Sequence, residues 1–191
     1  MRKEQKANYP ESARGAAALL VRMVLEDGAY TNIALNQYLR GSRLSDLDRR
    51  LATELVYGTV KASGTLDWYL AQCVSRPLDK VAGDILAILR ISTYQLLYMT
   101  RIPASAAVNE AVKLARSVSH EGSAKFVNGV LRGLLRKQEA GAFVLPDTEK
   151  QDADYLSLQY YHPRWLVKRW LGPWGRGGTE RLLAFDNTAA P

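Results

Sequence analysis

The sequence has 191 residues, of which 47% are hydrophobic and 24% are charged. This balance is typical of a globular chain and argues against a disordered one. The net charge of +7 favours an anionic partner, with nucleic acid as the first candidate, although a basic protein without such a partner also fits. The single cysteine, Cys73, excludes a disulfide framework and a cysteine metal site.

The first ten residues, MRKEQKANYP, carry basic side chains but no apolar run behind them. They therefore do not predict a secretory signal, and a cytoplasmic protein is expected. We interpret residues 1–12 as a basic N-terminal arm containing Arg2, Lys3 and Lys6. Such an arm either frays as a terminus or folds onto a phosphate backbone.

The first predicted helix begins after Ser12 and runs to about Asp27, where Gly28 stops it. Arg14 lies off the apolar stripe of this helix. A second, shorter helix is predicted from Ile33 to Leu39.

The third helix opens on Ser45 and Asp48, which have the spacing of a capping pair. Gly58 within it is expected to allow another helix to approach closely. Gly64 is expected to end this helix and to separate it from a further one over Leu66–Val74.

The most apolar stretch of the chain runs from Val81 to Met99. A membrane span needs about 20 apolar residues with few charges, and Asp84 and Arg90 interrupt the run too early. We therefore predict a central helix buried in a helical bundle, opened by Asp79 and ended before Pro103.

Two amphipathic helices follow, the first over Ser105–Ser117 and the second, AKFVNGVLRGLLRK, capped by Ser123. In the second helix Lys125, Arg132 and Arg136 are spaced by seven and four residues, which places three cations on one face. The N-terminus of that helix is also a potential anion site. The alternative is an ordinary solvated face.

Residues 141–153 have the composition of a linker, and residues 154–191 are rich in tyrosine and tryptophan. Two short helices, Arg164–Leu171 and Thr179–Phe185, are predicted on either side of a glycine-rich turn. This turn lacks the spacing of a phosphate loop, and His162 is interpreted as a turn residue. The segment is expected to be the helical start of a second, incomplete domain.

Three phrases resemble the NusB-like helical domain: DRRLATELVYGTVK (residues 48–61), ILRISTYQLLYMTRIPASAAVNEAVKLAR (88–116) and KFVNGVLRGLLR (125–136). They occur in the expected order. The resemblance implies an all-α, NusB-like helical bundle over residues 13–140, followed by the helical start of the second domain.

That domain occurs alone as a bacterial transcription antitermination factor. It also occurs as the N-terminal RNA-binding domain of Sun/RsmB-type ribosomal RNA cytosine-C5 methyltransferases. The phrase STYQLLYM and the tail beginning YHPRWLVKRW resemble the methyltransferase branch. Those enzymes bind S-adenosylmethionine on a Rossmann-like domain and use a catalytic cysteine, and the 191 residues contain no matching motif for either.

The resemblance therefore implies an RNA-binding segment, without catalytic, cofactor or metal residues, of an S-adenosylmethionine-dependent enzyme. Its expected partners are ribosomal RNA and a methyltransferase domain beyond Pro191. The first alternative is a stand-alone antitermination factor that binds RNA and a small-subunit ribosomal protein. The second is a helical protein-interaction domain that binds no RNA.

The resemblance to the NusB-like domain implies that RNA is contacted by the basic N-terminal region and by the start of the KFVNGVL helix. Phe126 either stacks a base or packs into the core. Together with the cationic helix face, the predicted RNA-binding residues are Arg2, Lys3, Lys6, Arg14, Lys125, Phe126, Arg132 and Arg136.

Overall fold

A computed structural model of the chain describes residues 8–147, 150 and 152–188. Within these residues the regular structure is entirely helical, which confirms the all-α prediction. The helices are α1 (Ala13–Leu25), α2 (Thr31–Gly41), α3 (Asp46–Ala71), α4 (Gly83–Tyr98), α5 (Ala104–Val118), α6 (Glu121–Glu139), α7 (Asp152–Tyr160) and α8 (Arg164–Asp186). One 3-10 turn, Leu78–Lys80, precedes α4.

The central helix of the bundle is α4, which packs against α1, α3, α5 and α6. Its side chains Ile88, Leu89 and Ile91 are almost completely buried, and so are polar Ser92 and Gln95. The Ser92 hydroxyl donates to the carbonyl oxygen of Ile88 at 2.7 Å, which satisfies it inside the core. None of the helices in the described part of the chain has the length and apolar character needed to cross a membrane.

Two helix starts follow the capping residues that the sequence indicates. The Ser12 side chain accepts a hydrogen bond from the Gly15 backbone N–H, and Ser45 accepts from that of Asp48. At the end of α1, Gly28 has a φ of 73°, a backbone conformation that glycine adopts at little cost. The sequence could predict these helix boundaries because each depends on residues within one helical turn.

The predicted break at Gly64 is wrong. Helix α3 continues through it to Ala71, and Gly64 itself is exposed. A glycine in a helix interior costs about 1 kcal/mol relative to alanine, whereas fully burying one leucine contributes about 1.5–3 kcal/mol. Because Leu66 and Leu70 are both buried after the glycine, tertiary packing outweighs the local preference.

Two other predicted helix starts are also wrong. Asp79 lies in the 3-10 turn, and α4 begins at Gly83 instead. Helix α6 is capped by His120, whose Nδ1 accepts from the Ser123 backbone N–H at 3.3 Å. Histidine was missed because serine is the more common cap.

The C-terminal helices α7 and α8 enclose a small core of their own, formed by Leu156, Val167 and Leu183. Helix α8 is kinked at Gly175, where φ is 60° and ψ is 179°. The predicted glycine-rich turn is therefore present, but it is confined to one residue between two helical halves. Helix α7 packs against α3, where the Thr65 hydroxyl donates to the Leu158 carbonyl oxygen at 2.9 Å.

Candidate nucleic-acid interface

The outward face of α6 carries the cationic row that the spacing predicts. Lys125, Arg132 and Arg136 are all exposed, while Val127 and Leu131 on the other side of the helix are fully buried. The Arg132 Nε donates to the Asn128 Oδ1 at 2.9 Å, which orients its guanidinium along the helix surface. The structure thus brings these three residues of the predicted site together. Their contact with RNA stays a prediction.

The N-terminus of α6 is less available to an external anion than its sequence suggests. The His120 side chain already accepts a hydrogen bond from the Ser123 N–H, one of the N–H groups at this helix end. The Glu121 carboxylate also lies in the first turn. Arg116 donates two hydrogen bonds to Glu121, at 2.6 and 3.2 Å. These bonds, with a smaller effect from Lys125, hold the pKa of Glu121 below its usual range. Negative charge is therefore already present at this helix end.

Phe126 lies beside the cationic row, partly buried against the main core. The guanidinium carbon of Arg76 lies 5.0 Å from the centroid of its ring, which is cation–π distance. One face of the Phe126 ring is thus covered by a cation. The sequence interpretation missed Arg76, because a lone arginine in a loop has no periodic pattern to connect it with α6.

Lys137 and Cys73 lie where the end of α3 meets α6. The Lys137 ammonium donates to the Gln72 carbonyl oxygen at 2.5 Å, so this cation is used to hold two segments together. Burial raises the pKa of the Cys73 thiol, although Lys137 lowers it in part. A raised pKa disfavours the thiolate, which agrees with the interpretation of Cys73 as a packing residue.

Arg14 is placed away from the α6 row. It lies in a shallow surface pocket whose lining includes Glu110 and Lys113 of α5. Its Nε donates to the Oε1 of buried Gln95 in α4 at 2.9 Å. Part of its hydrogen-bonding capacity is therefore used inside the bundle.

Arg2, Lys3 and Lys6 lie outside the described residues. Near the start of the described residues, the Tyr9 hydroxyl donates to the Asp84 Oδ1 at 2.6 Å. Asp84 belongs to the first turn of α4, and the loop carrying Arg76 leads into that turn. Short connections make α4, α5 and α6 antiparallel in succession, so α4 and α6 begin at the same end of the bundle. Tyr9 and the start of α6 therefore lie at one end.

This fold corresponds to a known family. The model of the NusB family matches residues 11–136, which is about two thirds of the chain. The chain belongs to the NusB family. Its NusB domain thus spans α1 to α6, as the three sequence phrases predict, and α7 and α8 follow it.

Curated relatives confirm the resemblance to the methyltransferase branch. The chain is 41% identical over 176 residues to the probable ribosomal RNA small subunit methyltransferase B of Synechocystis. It is 36% identical over 171 residues to the protein of the same name from Bacillus subtilis. These matches cover 92% and 90% of this chain but only 39% and 37% of the relatives. The chain therefore spans about two fifths of their length.

Solved structures with the same fold are more distant in sequence. A complex of the antitermination factors NusB and NusE with double-stranded RNA gives a TM-score of 0.60 at 20% identity, covering 66% of this chain and 95% of that one. The protein PH0851 gives a TM-score of 0.69 at 19% identity, covering 97% of this chain and 40% of that one. The second match covers nearly the whole chain, so the fold of α1 to α6 recurs there together with that of α7 and α8.

Proposed function

We propose that this chain is the RNA-binding segment of a ribosomal RNA cytosine-C5 methyltransferase and that it holds the RNA for a catalytic domain. The observation that carries the proposal is the exposed cationic row of α6, Lys125, Arg132 and Arg136, beside Phe126 in a NusB domain. The names of the relatives supply the enzyme class. The solved NusB–NusE–RNA complex supports RNA as the ligand of this fold.

The cationic row supplies affinity rather than sequence selectivity. Each neutralised phosphate of a single strand makes log K fall with log salt by about 0.7, so three contacts give a slope near –2. Selectivity comes from unpaired bases, which stack on aromatic rings and arginine planes. Because Arg76 covers the Phe126 ring, a base at this position stacks on the outer face of that guanidinium or displaces it.

Methyl transfer belongs to the rest of the proposed enzyme. All regular elements of the described residues are helical, and they form no strand–turn–helix that suits S-adenosylmethionine. The described residues therefore do not fit this cofactor, and we assign it to the catalytic domain. Ribosomal RNA as the substrate places the enzyme in the cytoplasm.

The proposal is tested with a fluorescently labelled ribosomal RNA hairpin titrated with the 191-residue chain at two salt concentrations. The double variant Lys125→Glu/Arg132→Glu is expected to bind at least about tenfold more weakly, with a shallower salt dependence. Both side chains are exposed, so the bundle remains folded. The control is Arg40→Glu, a single reversal of charge at an exposed position of α2, which makes half the charge change of the double variant.

Wild-type protein that does not bind at low salt would contradict RNA binding altogether. A double variant that binds like the wild type, or an equal loss in Arg40→Glu, would contradict the assignment to α6. A small-subunit ribosomal protein is the partner expected of the alternative, an antitermination factor. Binding of both the RNA and such a protein would favour that alternative.

A further inference from the structure

A groove lined by tyrosines lies between the NusB domain and the C-terminal helices. Tyr94 and Tyr98 of α4, Tyr161 after α7 and Lys61 of α3 line a cavity of about 250 Å³. A neighbouring cavity of about 450 Å³ shares Lys61 and Tyr161 and adds Ser157. We call these two adjacent cavities together the tyrosine groove.

The aromatic walls of the groove are held in position. The ring of Tyr94 packs directly on Gly58, where any side chain would overlap it. Its hydroxyl donates to the Glu54 Oε1 at 2.7 Å. The Tyr98 ring lies 5.4 Å from that of Tyr94 and 5.8 Å, edge to face, from that of Tyr161. Tyr98 is 37% exposed, so its ring is accessible from solvent.

Tyr161 has an unusual backbone conformation. Its φ is 60°, and the other positive-φ positions among the described residues are glycines. The His162 N–H bonds to the Ser157 carbonyl oxygen at 3.1 Å, which makes Tyr161 the residue of a helix C-terminal turn where glycine is usual. A bulky side chain here costs backbone energy. The chain nevertheless carries an aromatic ring at this position, and that ring closes the groove.

Polar groups at the edge of the groove suit a nucleotide. Lys61 is exposed and makes no ion pair within the described residues. Asn187 donates its amide N–H to the Tyr160 carbonyl oxygen at 2.9 Å, which leaves its Oδ1 buried and without a partner in the described part of the chain. An unpaired acceptor in a groove favours a ligand that carries N–H donors.

We propose that the tyrosine groove binds one unpaired base of the RNA, stacked on the Tyr98 ring with its edge against Tyr161, and with the adjoining phosphate on Lys61. This inference rests on the proposed RNA binding. A cavity of about 150 Å³ accommodates benzene, so the volume here suffices for a planar base. Unpaired bases present both a ring face for stacking and N–H donors for an acceptor such as the Asn187 Oδ1.

The test uses a fluorescently labelled, unstructured ten-nucleotide RNA and the 191-residue chain, with affinities measured at two salt concentrations. Tyr161→Gly relieves the strained backbone while it removes the ring. It is expected to weaken binding at least about fivefold without changing the salt slope. Lys61→Ala is expected to reduce that slope by about 0.7. Tyr30→Ala and Arg40→Ala, at exposed positions of α2 and its start, are the matched controls.

The outcomes separate this inference from the proposed function. If both groove variants bind like the wild type while the α6 charge variant binds weakly, the tyrosine groove is not an RNA site and the proposed function stands. If the wild type binds no RNA, both fail. Circular dichroism checks the helix content of Tyr161→Gly. If that variant is unfolded, Lys61→Ala alone decides, because its exposed side chain does not support the fold.

Discussion

Replacing Gly58 by alanine tests whether the Tyr94 ring is fixed on α3. A Cβ atom at position 58 would lie within 2.5 Å of the Cζ, Oη and Cε2 atoms of Tyr94. The ring therefore has to move, and its 2.7 Å hydrogen bond to Glu54 is lost or distorted. The substitution thus disturbs the contact between α3 and α4 and one wall of the tyrosine groove.

Two opposing effects determine the size of the change. Alanine favours the helix over glycine by about 1 kcal/mol. Overpacking costs about 1–3 kcal/mol, and the lost hydrogen bond costs about 1 kcal/mol. We expect a net loss of about 1–3 kcal/mol in the free energy of unfolding. For a chain of this length that lowers Tm by about 2–4 °C for each kcal/mol.

Gly64→Ala is the matched control, because it makes the same change in the same helix. Gly64 is exposed and has no atom within 4 Å of an added Cβ. This variant is expected to be more stable by about 1 kcal/mol. Thermal unfolding followed by circular dichroism compares the two.

An increase in Tm for Gly58→Ala as large as that for Gly64→Ala would mean that the Tyr94 ring is not fixed. In a Tyr94→Ala background the ring is absent. There, Gly58→Ala is expected to stabilise the helix as Gly64→Ala does. If Gly58→Ala still destabilises the protein in this background, the added Cβ overlaps with a group other than the Tyr94 ring.

Two further predictions concern the tyrosines and the C-terminal helices. Burial, aided by hydrogen bonds, raises the pKa of the hydroxyls of Tyr9, Tyr94 and Tyr98 above that of free tyrosine, about 10. Because the folded state holds these protons more tightly, the free energy of unfolding is expected to fall as pH rises above about 10; equal denaturant midpoints at pH 8 and 11 would contradict this. His162 has its Nδ1 2.5 Å from the Tyr160 carbonyl oxygen and its Nε2 2.8 Å from the Asp186 Oδ2. His162→Ala is expected to speed amide hydrogen exchange in α7 and α8 but not in α4. Unchanged exchange in α7 and α8 would show that these hydrogen bonds do not hold the two helices together.

Much of the fold could be predicted because its signals are local. A cap such as Ser45 depends on an N–H three residues away, and the burial of α4 follows from its nearly continuous apolar sequence. The errors occur where local and tertiary preferences disagree. Gly64 favours a break, but the buried leucines that follow it keep α3 intact.

The candidate site likewise contains residues that the sequence could predict and one that only the tertiary structure reveals. Lys125, Arg132 and Arg136 share a face because helical periodicity places them there, whatever surrounds the helix. Arg76 lies 50 positions before Phe126, and no pattern in the sequence connects them. Only the packing of the loop against α6 brings the guanidinium onto the ring.

The sequence by itself determined most of the helices, the identity of the central one and the cationic face of α6, since each depends on residues close together in the chain. It also determined the family, through three phrases in a fixed order. Tertiary structure decided which charges remain available and which are used internally, as Arg14 and Lys137 are. It also created the tyrosine groove, because Tyr98 and Tyr161 belong to separate parts of the chain. They meet only when α7 packs on α3.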